Sequence, residues 1–307
     1  MSSPHPRLTA GRLWWLFKLN YQRGWRTAWY EYQVMPRILQ WRVPVEFPAE
    51  NRAEIHLLTS HKDWLFAAWM LASFFHQTKR RWPVVLHEDG TCEPEHLAAL
   101  ARLFPDARII RRREADAAME ARLAPYPECL AYRRQHALAM KLFDVPAYAQ
   151  TRRVLLLDSD VLFYREPREI LDWLDADNDE TWFNSDFQHS LNIKPEEARA
   201  KWGIKLWPLV NSGLVLLNPA VLDLDFCEQC LGEGTIRTSG WEWCIEQTLF
   251  GLCASRAARG GLLPTDRYEV SYGAQAAPGI VARHYVGHVR QQFYSEGIRR
   301  LYPILLG

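Results

Sequence analysis

The chain has 307 residues, of which 48% are hydrophobic, enough for one large core, and its steady alternation of predicted strands and helices favours one catalytic domain with terminal extensions. A formal net charge of +1 removes any general argument for nucleic-acid binding. The six cysteines, with no cleavable signal sequence before them, favour free thiols and a cytoplasmic, reducing compartment over a disulfide scaffold.

The first 45 residues are predicted to form a basic, aromatic arm. They carry seven Arg or Lys and one Glu, which leaves 30 basic and 35 acidic residues in the rest of the chain. Apolar residues at helical spacing predict an amphipathic helix there, and they are Trp14, Phe17, Tyr21, Trp25, Ala28 and Tyr32. Such a helix can lie peripherally on the anionic inner face of a membrane, or it can pack on the protein's own core. No window approaches about 18 consecutive apolar residues, so no membrane-spanning helix is expected.

The first half of the chain alternates between predicted strands and helices. Strands are expected at 54–60, 82–87, 107–110 and 153–163, and helices at 63–76, 94–103 and 128–149. Strands separated by helical crossovers predict a mainly parallel α/β sheet that is covered by helices. Ligands of such sheets bind beyond the carboxyl ends of the strands.

Two acids interrupt an apolar run at the end of the last of these strands. Asp158 and Asp160 lie one residue apart within 154–163, so their side chains would share one side of the chain if the strand continued through them. Two carboxylates that close repel each other unless a cation lies between them. The pattern therefore predicts a site for a divalent metal such as Mg²⁺ or Mn²⁺.

The second half is predicted to add three strands and two helices. Strands are expected at 182–186, 210–219 and near 267–272, and helices near 195–201 and at 241–253. Gly213, in the second of these strands, indicates either a close approach of the backbone to a ligand or a bulge. The pair Cys227 and Cys230 is followed by cysteines at irregular spacing, so small core thiols are favoured over a zinc site.

Four motifs in order along the chain resemble those of glycosyltransferases of the GT-A fold, and most closely family 8, which includes glycogenin and bacterial lipopolysaccharide galactosyltransferases. The motifs are the Asp-x-Asp strand at Asp158, the Asn-Ser-Gly strand at Asn211, the pair Glu246-Gln247, and His284-x-x-Gly287-x-x-Arg290. The family usually has Asp in place of Glu246 and Lys in place of Arg290, and its first strand ends in a turn that differs from 60–62. The resemblance runs from about 53 to 292.

The resemblance implies an enzyme with one catalytic domain. It implies a Rossmann-like GT-A domain at 51–292, which leaves the basic, aromatic arm at 1–50 and a C-terminal tail at 293–307 outside the resemblance. It also implies a metal-dependent transfer of a hexose from a nucleotide sugar, with a UDP-sugar expected, to a hydroxyl acceptor that is a glycan, a lipid-linked glycan or another alcohol. The anomeric configuration would be retained, through either a covalent adduct or attack on the same face within an ion pair.

The resemblance also assigns roles to residues of this chain. The ligands of Mn²⁺, or of Mg²⁺, would be Asp158, Asp160 and His284. Binding of the nucleotide sugar would involve Thr59, Lys141, Asp158, Asn211, Gly213, Gly287 and Arg290, with Arg290 reaching the diphosphate. Catalytic roles near the anomeric carbon and the acceptor would fall to Glu246, Gln247 and Asp186.

Each assignment has a plainer alternative that the sequence leaves open. His284 could be a core histidine, or His288 could replace it as the ligand. Lys141 and Glu246 could be solvated helix residues, and Asp186 could be a loop cap. The whole domain could also be a catalytically silent module that keeps the fold in order to bind a glycan or to scaffold a membrane complex.

Overall fold

The computed structural model describes residues 24–238, 241–273 and 275–307, together with Trp14, Phe17, Lys18 and Tyr21. The strands are β1 Glu54–Thr59, β2 Val84–Glu88, β3 Arg108–Arg111, β4 Val154–Leu157, β5 Val161–Phe163, β6 Thr181–Ser185, β7 Val210–Leu217, β8 Gly260–Leu262, β9 Tyr268–Val270 and β10 Ala282–His284. The α-helices are α1 Trp25–Trp29, α2 Trp64–Thr78, α3 Pro94–Leu103, α4 Arg112–Leu123, α5 Pro127–Gln135, α6 Ala139–Tyr148, α7 Arg168–Asp175, α8 Pro195–Trp202, α9 Leu224–Gly232, α10 Thr235–Thr238, α11 Ile245–Ala257 and α12 Arg299–Leu305. Two π-helical turns, Tyr30–Val34 and Phe293–Ile298, and a 3₁₀-helix, Met35–Gln40, complete the longer elements.

A seven-stranded sheet in the order β3-β2-β1-β4-β7-β6-β8 forms the centre of the molecule. Strand β7 is antiparallel to both of its neighbours, whereas the other neighbouring pairs are parallel. A second, three-stranded sheet in the order β5-β10-β9 begins where the chain leaves β4. The predicted mainly parallel α/β sheet is therefore confirmed.

Both faces of the large sheet are covered, and the strand sequences show why. Strand β4 is fully buried, and its side chains alternate between the two hydrophobic clusters: Leu155 and Leu157 in one, Val154 and Leu156 in the other. Helices α2 and α7 cover the first face, and α6, α9 and α11 cover the second. A strand that is apolar on both sides is stable only in such a sandwich of helices.

The two ends of the described chain pack together against the first face. Val34, Met35, Ile38 and Trp41 are buried, and the indole Nε1–H of Trp69 in α2 donates to the carbonyl oxygen of Met35 at 2.9 Å. Residues 293–305 pack against α2 and against the turn at 30–34. The segment 34–41 is thus part of the core. None of the described helices is long and apolar enough to cross a bilayer.

Several predicted elements differ from those observed. The predicted helix at 128–149 is two helices, α5 and α6, and the predicted strand at 153–163 is two strands that belong to different sheets. Helices α4, α7, α9, α10 and α12 and strands β8 and β10 had no counterpart in the prediction. All six cysteines are free, and the Sγ atoms of Cys227 and Cys253 lie 3.7 Å apart inside the second hydrophobic cluster, as small core thiols would.

Candidate active site

The two acids of the Asp-x-Asp motif lie in a turn between β4 and β5, because the strand ends at Leu157. Asp158 and Asp160 therefore do not lie on one side of a continuous strand, which was one way in which their side chains could have converged. The turn brings them together instead: the N–H of Val161 donates to the carbonyl oxygen of Asp158 at 3.3 Å. The N–H of Asp158 donates to the carbonyl oxygen of Gly213 at 2.7 Å, which continues the β4–β7 pairing into the turn.

Antiparallel pairing of β10 with β5 brings the histidine to these acids. His284 lies opposite Val161 in the register, and the next N–H along the chain, that of Tyr285, donates to the carbonyl oxygen of Asp160 at 2.9 Å. The Nε2 atom of His284 consequently lies 3.1 Å from Oδ1 of Asp160 and 3.6 Å from Oδ2 of Asp158. One ligand atom from each of the three residues lies within 4.8 Å of the others.

The hydrogen bonds of His284 leave one ring nitrogen available for a metal. Its Nδ1 lies 3.0 Å from Oδ1 of Asn211, and that same oxygen accepts the backbone N–H of Gly213 at 3.0 Å. Because an N–H donor faces it, this Asn211 atom is the oxygen, and an amide oxygen can only accept. Nδ1 of His284 therefore carries the proton, and Nε2 presents its lone pair to the acids when the ring is neutral.

Gly213 makes room for the imidazole. A Cβ atom at this position would lie 2.0 Å from Cε1 and 2.3 Å from Nδ1 of His284. Gly213 is thus explained by the close approach of a side chain that reaches the site. It also lies where the β6–β7 register shifts, because Phe183 pairs with Val215 whereas Asn184 pairs with Asn211, so the bulge that the sequence left open is present on that side of the strand.

Two carboxylates and a neutral imidazole nitrogen are a donor set that suits Mn²⁺. Without a metal, the ionised pair compensates itself. Burial would raise the pKa of Asp160, but the charges of His284 and Arg290 outweigh it, so that this pKa lies below its usual value. Burial would lower the pKa of His284, but Asp160 outweighs it and raises this pKa. A metal ion bound between the two acids would take the place of the second ring proton of His284.

A buried lysine supports the acids from beneath. Nζ of Lys141 lies 2.8 Å from Oδ1 of Asp158 and 3.4 Å from Oε1 of Glu246, and it donates to the carbonyl oxygen of Ser212 at 3.1 Å. Burial and nearby charges raise the pKa of Glu246 to about 7, although Lys141 acts in the opposite direction. Both Lys141 and Glu246 are buried, so neither is a solvated helix residue.

Arg290 approaches the acids from the other side. Its Nε lies 3.4 Å from Oδ2 of Asp160, and one of its terminal nitrogens forms an ion pair with Asp63, which follows β1. The hydroxyl of Ser60 donates to the other carboxylate oxygen of Asp63 at 2.8 Å. The turn after β1 thus holds the arginine beside the candidate metal ligands, a role for Asp63 that the sequence did not predict.

A cavity of about 690 Å³ opens beside this cluster. Asp186, Asn211, Gln247 and Gly287 line it, whereas Glu246 lies behind them against Lys141. The amide of Gln247 is fixed, because its oxygen accepts the N–H of Ser212 at 3.0 Å and its nitrogen donates to the carbonyl oxygen of Ser190 at 2.9 Å. Oδ1 of Asp186 accepts the N–H of Phe187 at 2.8 Å, as a loop cap would. Asp186 also lines the cavity, as a residue that binds a sugar or an acceptor would.

Two further predicted residues lie at the same edge of the sheet. Thr59 ends β1, next to β4, and its buried hydroxyl oxygen has no hydrogen-bond partner among the described residues. Gly287 has a φ of 49°, in the left-handed region that favours glycine, as the chain turns from β10 towards Arg290. The side chain of His288, the alternative ligand, is not among those that the structure describes.

Some residues of the site could not be predicted, because serine and aromatic side chains do not by themselves indicate a functional site. Ser212 links the buried pair, since its hydroxyl donates to Glu246 at 2.9 Å and its carbonyl oxygen accepts from Lys141. Four aromatic residues surround the cavity and were not considered for the site: Phe187, Trp241, Trp243 and Tyr272. The signal that could have found the tryptophans is their position directly before the helix that carries Gln247.

Comparison with solved structures identifies the fold. The chain is similar to the galactosyltransferase LgtC in complex with donor and acceptor sugar analogues, with a TM-score of 0.54 and 16% identity over 83% of this chain and 96% of that one. An active-site mutant of LgtC gives a TM-score of 0.55 and 17% identity over the same shares of the two chains. Mouse xyloside xylosyltransferase 1 gives a TM-score of 0.51 and 13% identity over 78% of this chain and 98% of that one.

No protein-family model and no curated protein sequence matches the chain. At these identities the similarity shows the fold, and the expected GT-A fold is confirmed.

Proposed function

We propose that this protein is a metal-dependent glycosyltransferase that moves a hexose from a nucleotide sugar, with UDP as the expected nucleotide, to a hydroxyl acceptor. The observation that carries the proposal is the convergence of Asp158, Asp160 and His284 at the edge of the sheet where such folds bind ligands, with a cavity beside them. The acids lie at the C-terminal end of β4, and the histidine comes from a distant part of the chain.

The three side chains fit a divalent ion, preferably Mn²⁺, because their donor atoms converge and Nε2 of His284 is free of a proton when neutral. Such an ion would neutralise charge that develops on the leaving diphosphate. Arg290 supplies a second positive charge next to Asp160, and its planar guanidinium suits phosphate oxygens. The ion pair with Asp63 holds it there.

The residues on the cavity side have roles that follow from their contacts. Gln247 presents a fixed amide at the wall where donor sugar and acceptor would meet, and Asp186 offers a carboxylate oxygen to a sugar hydroxyl. Glu246 acts from behind, by balancing the charge of Lys141 beneath Asp158. Retention of configuration remains the expectation, with Gln247 on the cavity side where the anomeric carbon would lie and Glu246 behind it.

Donor hydrolysis tests the proposal. Purified protein is incubated with Mn²⁺ and a panel of UDP-, GDP- and TDP-hexoses, and we expect slow, metal-dependent release of one nucleoside diphosphate. Failure of every donor to be hydrolysed, with no donor-dependent thermal shift, would contradict the enzyme and favour the silent binding module.

The Asp160→Asn variant locates the metal within the site. It keeps the shape of the side chain but removes a charge, so we expect Mn²⁺-dependent donor binding to fall at least about 10-fold while the fold is kept. Asp266→Asn, at an exposed position, is the matched control and should bind as the native protein does. Undiminished Mn²⁺-dependent binding by Asp160→Asn would remove Asp160 from the site.

We further propose that the arm docks on an anionic membrane surface. Trp14, Phe17, Tyr21 and Trp25 are about half exposed or more, and the ring of Phe17 lies within 6.4 Å of the other three. Exposed aromatic rings beside Lys18 and Arg26, which are also exposed, suit the headgroup region of such a bilayer.

Vesicle co-sedimentation tests this part of the proposal with the full chain. Deletion of residues 1–45 is unsuitable as a test, because it would also remove 34–41, which belongs to the core. We expect the double variant Trp14→Ala/Trp25→Ala to bind phosphatidylserine-containing vesicles about 100-fold more weakly than the native protein, since each buried aromatic side chain stabilises the bound state by about 1.5 kcal/mol or more. Equal pelleting of the two proteins would refute membrane docking by these rings.

A further inference from the structure

Four aromatic side chains stand around the mouth of the cavity beside the metal ligands, and none of them is needed to close the core. Trp241 and Trp243 are 55% and 57% exposed, and Phe187 and Tyr272 are 42% and 45% exposed. Large apolar side chains that are left this exposed around a concave site usually mark a binding surface.

The four rings form two separate walls. The rings of Trp241 and Trp243 are stacked, with centroids 5.2 Å apart and planes inclined by 15°. Those of Phe187 and Tyr272 contact each other at 4.3 Å between centroids. The backbone beneath Trp241 is held, since its carbonyl oxygen accepts from Nδ2 of Asn192 at 3.0 Å. The site thus offers flat apolar faces on a supported backbone.

The polar groups between the walls suit hydroxyl groups. Gln188, Ser190, Asn211 and Gln247 contribute amide or hydroxyl side chains to the lining. Asp186 is the one charged residue among the described residues that line the cavity, and no Lys or Arg of that part of the chain does so. Phosphate and carboxylate groups are normally bound by Arg, Lys or a cluster of backbone N–H groups, whereas neutral amides and a carboxylate bind hydroxyls.

We infer that this cavity takes an uncharged saccharide, whose apolar ring faces pack on the Trp241–Trp243 and Phe187–Tyr272 walls and whose hydroxyls bind the polar groups between them. Its role as the acceptor rests on the proposed function, because the acceptor must meet the donor sugar beside Asp158 and Asp160. A phosphorylated sugar is disfavoured, since its charge would lie beside Asp186 with no cation from the described lining to balance it. A bare lipid is disfavoured as well, because the polar groups would lose their water without gaining partners.

Saturation-transfer NMR and isothermal titration on the full chain with Mn²⁺ and UDP test the inference without turnover. The probes are lactose, maltose, cellobiose and the methyl glycosides of glucose and galactose, set against glucose 6-phosphate, galactose 1-phosphate and octyl alcohol. We expect at least one neutral saccharide to bind, with saturation strongest on ring C–H protons, and the phosphorylated sugars to bind at least about 10-fold more weakly.

Variants then assign the binding to the walls. Trp241→Ala/Trp243→Ala should weaken saccharide binding about 10-fold or more, and the matching Phe pair should keep most of it, because a phenyl ring still offers a stacking face. Trp29→Ala, which removes an equally exposed indole elsewhere (56%), is the control and should bind as the native protein does. Thermal melting verifies that each variant is folded.

The outcomes separate this inference from the proposed function. Saccharide binding that is unaffected in the double Ala variant, tighter binding of the phosphorylated sugars, or no saccharide binding by a protein that hydrolyses its donor would each overturn the inference while leaving the enzyme in place. Saccharide binding that depends on the two tryptophans, without hydrolysis of any donor, would support the site and contradict the enzyme.

Discussion

The Gly213→Ala variant tests how the proposed metal site is assembled, because it adds one methyl group where the imidazole of His284 lies. The new Cβ would be 2.0 Å from Cε1, 2.3 Å from Nδ1 and 2.8 Å from Nε2 of that ring. Gly213 is in strand β7 and its φ is not in the left-handed region, so alanine suits the backbone. The ring alone opposes the substitution.

The size of the effect follows from the overlap. Cβ contacts closer than 3.0 Å essentially do not occur, so the ring must move by about 1 Å or leave its position. Such a movement costs about 1–3 kcal/mol of unfolding free energy when a packed site has to adjust. It also withdraws Nε2 from Asp160 and Nδ1 from Asn211, and a loss of ligand orientation of this kind lowers metal affinity about 10- to 100-fold.

Mn²⁺ titration followed by electron paramagnetic resonance gives the affinity, and urea unfolding gives the stability. Gly232→Ala is the control, because its Cβ would meet nothing closer than 3.8 Å; the Mn²⁺ affinity should stay near its native value and the unfolding free energy within about 1 kcal/mol of it. A double-mutant cycle isolates the ring: in a His284→Ala background the added methyl group should cost less than about 0.5 kcal/mol. Native Mn²⁺ affinity in folded Gly213→Ala, or an equal cost with and without the ring, would refute the reasoning.

Two further predictions concern buried charge. Lys141→Met should lower the unfolding free energy by about 1–3 kcal/mol, because it removes the cation between Asp158 and Glu246 and leaves their polar atoms without this partner. The loss is limited because the pKa of Glu246 is already about 7, so this carboxyl can take up a proton once the lysine is gone. Lys201→Met, which breaks a more exposed ion pair, should cost no more than about 1 kcal/mol, and equal losses in urea unfolding would contradict the buried network. Burial lowers the pKa values of His56 and His87. Below about pH 6.5 the unfolded chain therefore binds protons on these residues that the folded chain does not bind, so the unfolding free energy should fall as the pH falls through that value. His87→Gln should reduce the slope between pH 6.5 and 5 by up to about 1.4 kcal/mol per pH unit, and an unchanged slope would count against this origin of the acid sensitivity.

The prediction of elements succeeded where local chemistry and tertiary packing agree. Helix α3 begins at Pro94 and ends at Leu103 as predicted, because proline suits the first turn of a helix and the apolar positions face one side. The single helix predicted at 128–149 was wrong, because the chain breaks at 136–138 between α5 and α6. The periodic apolar pattern continues through this break, and neither glycine nor proline marks it in the sequence. Strand β8 is three residues long, too short for a periodic pattern.

The continuous apolar run of β4, the acids that follow it and the order of the four motifs predicted the fold and the candidate metal ligands, because these depend on residue type and local spacing. Contacts between distant segments decided the rest. The pairing of β10 with β5 sets His284 on Asp160, and Gly213 gives the ring its space. Burial turned Lys141 from one of many helix residues into the cation beneath Asp158, and chain folding placed two aromatic walls around one cavity. No local pattern encodes these neighbours, since each arises from the register and packing of strands far apart in the chain.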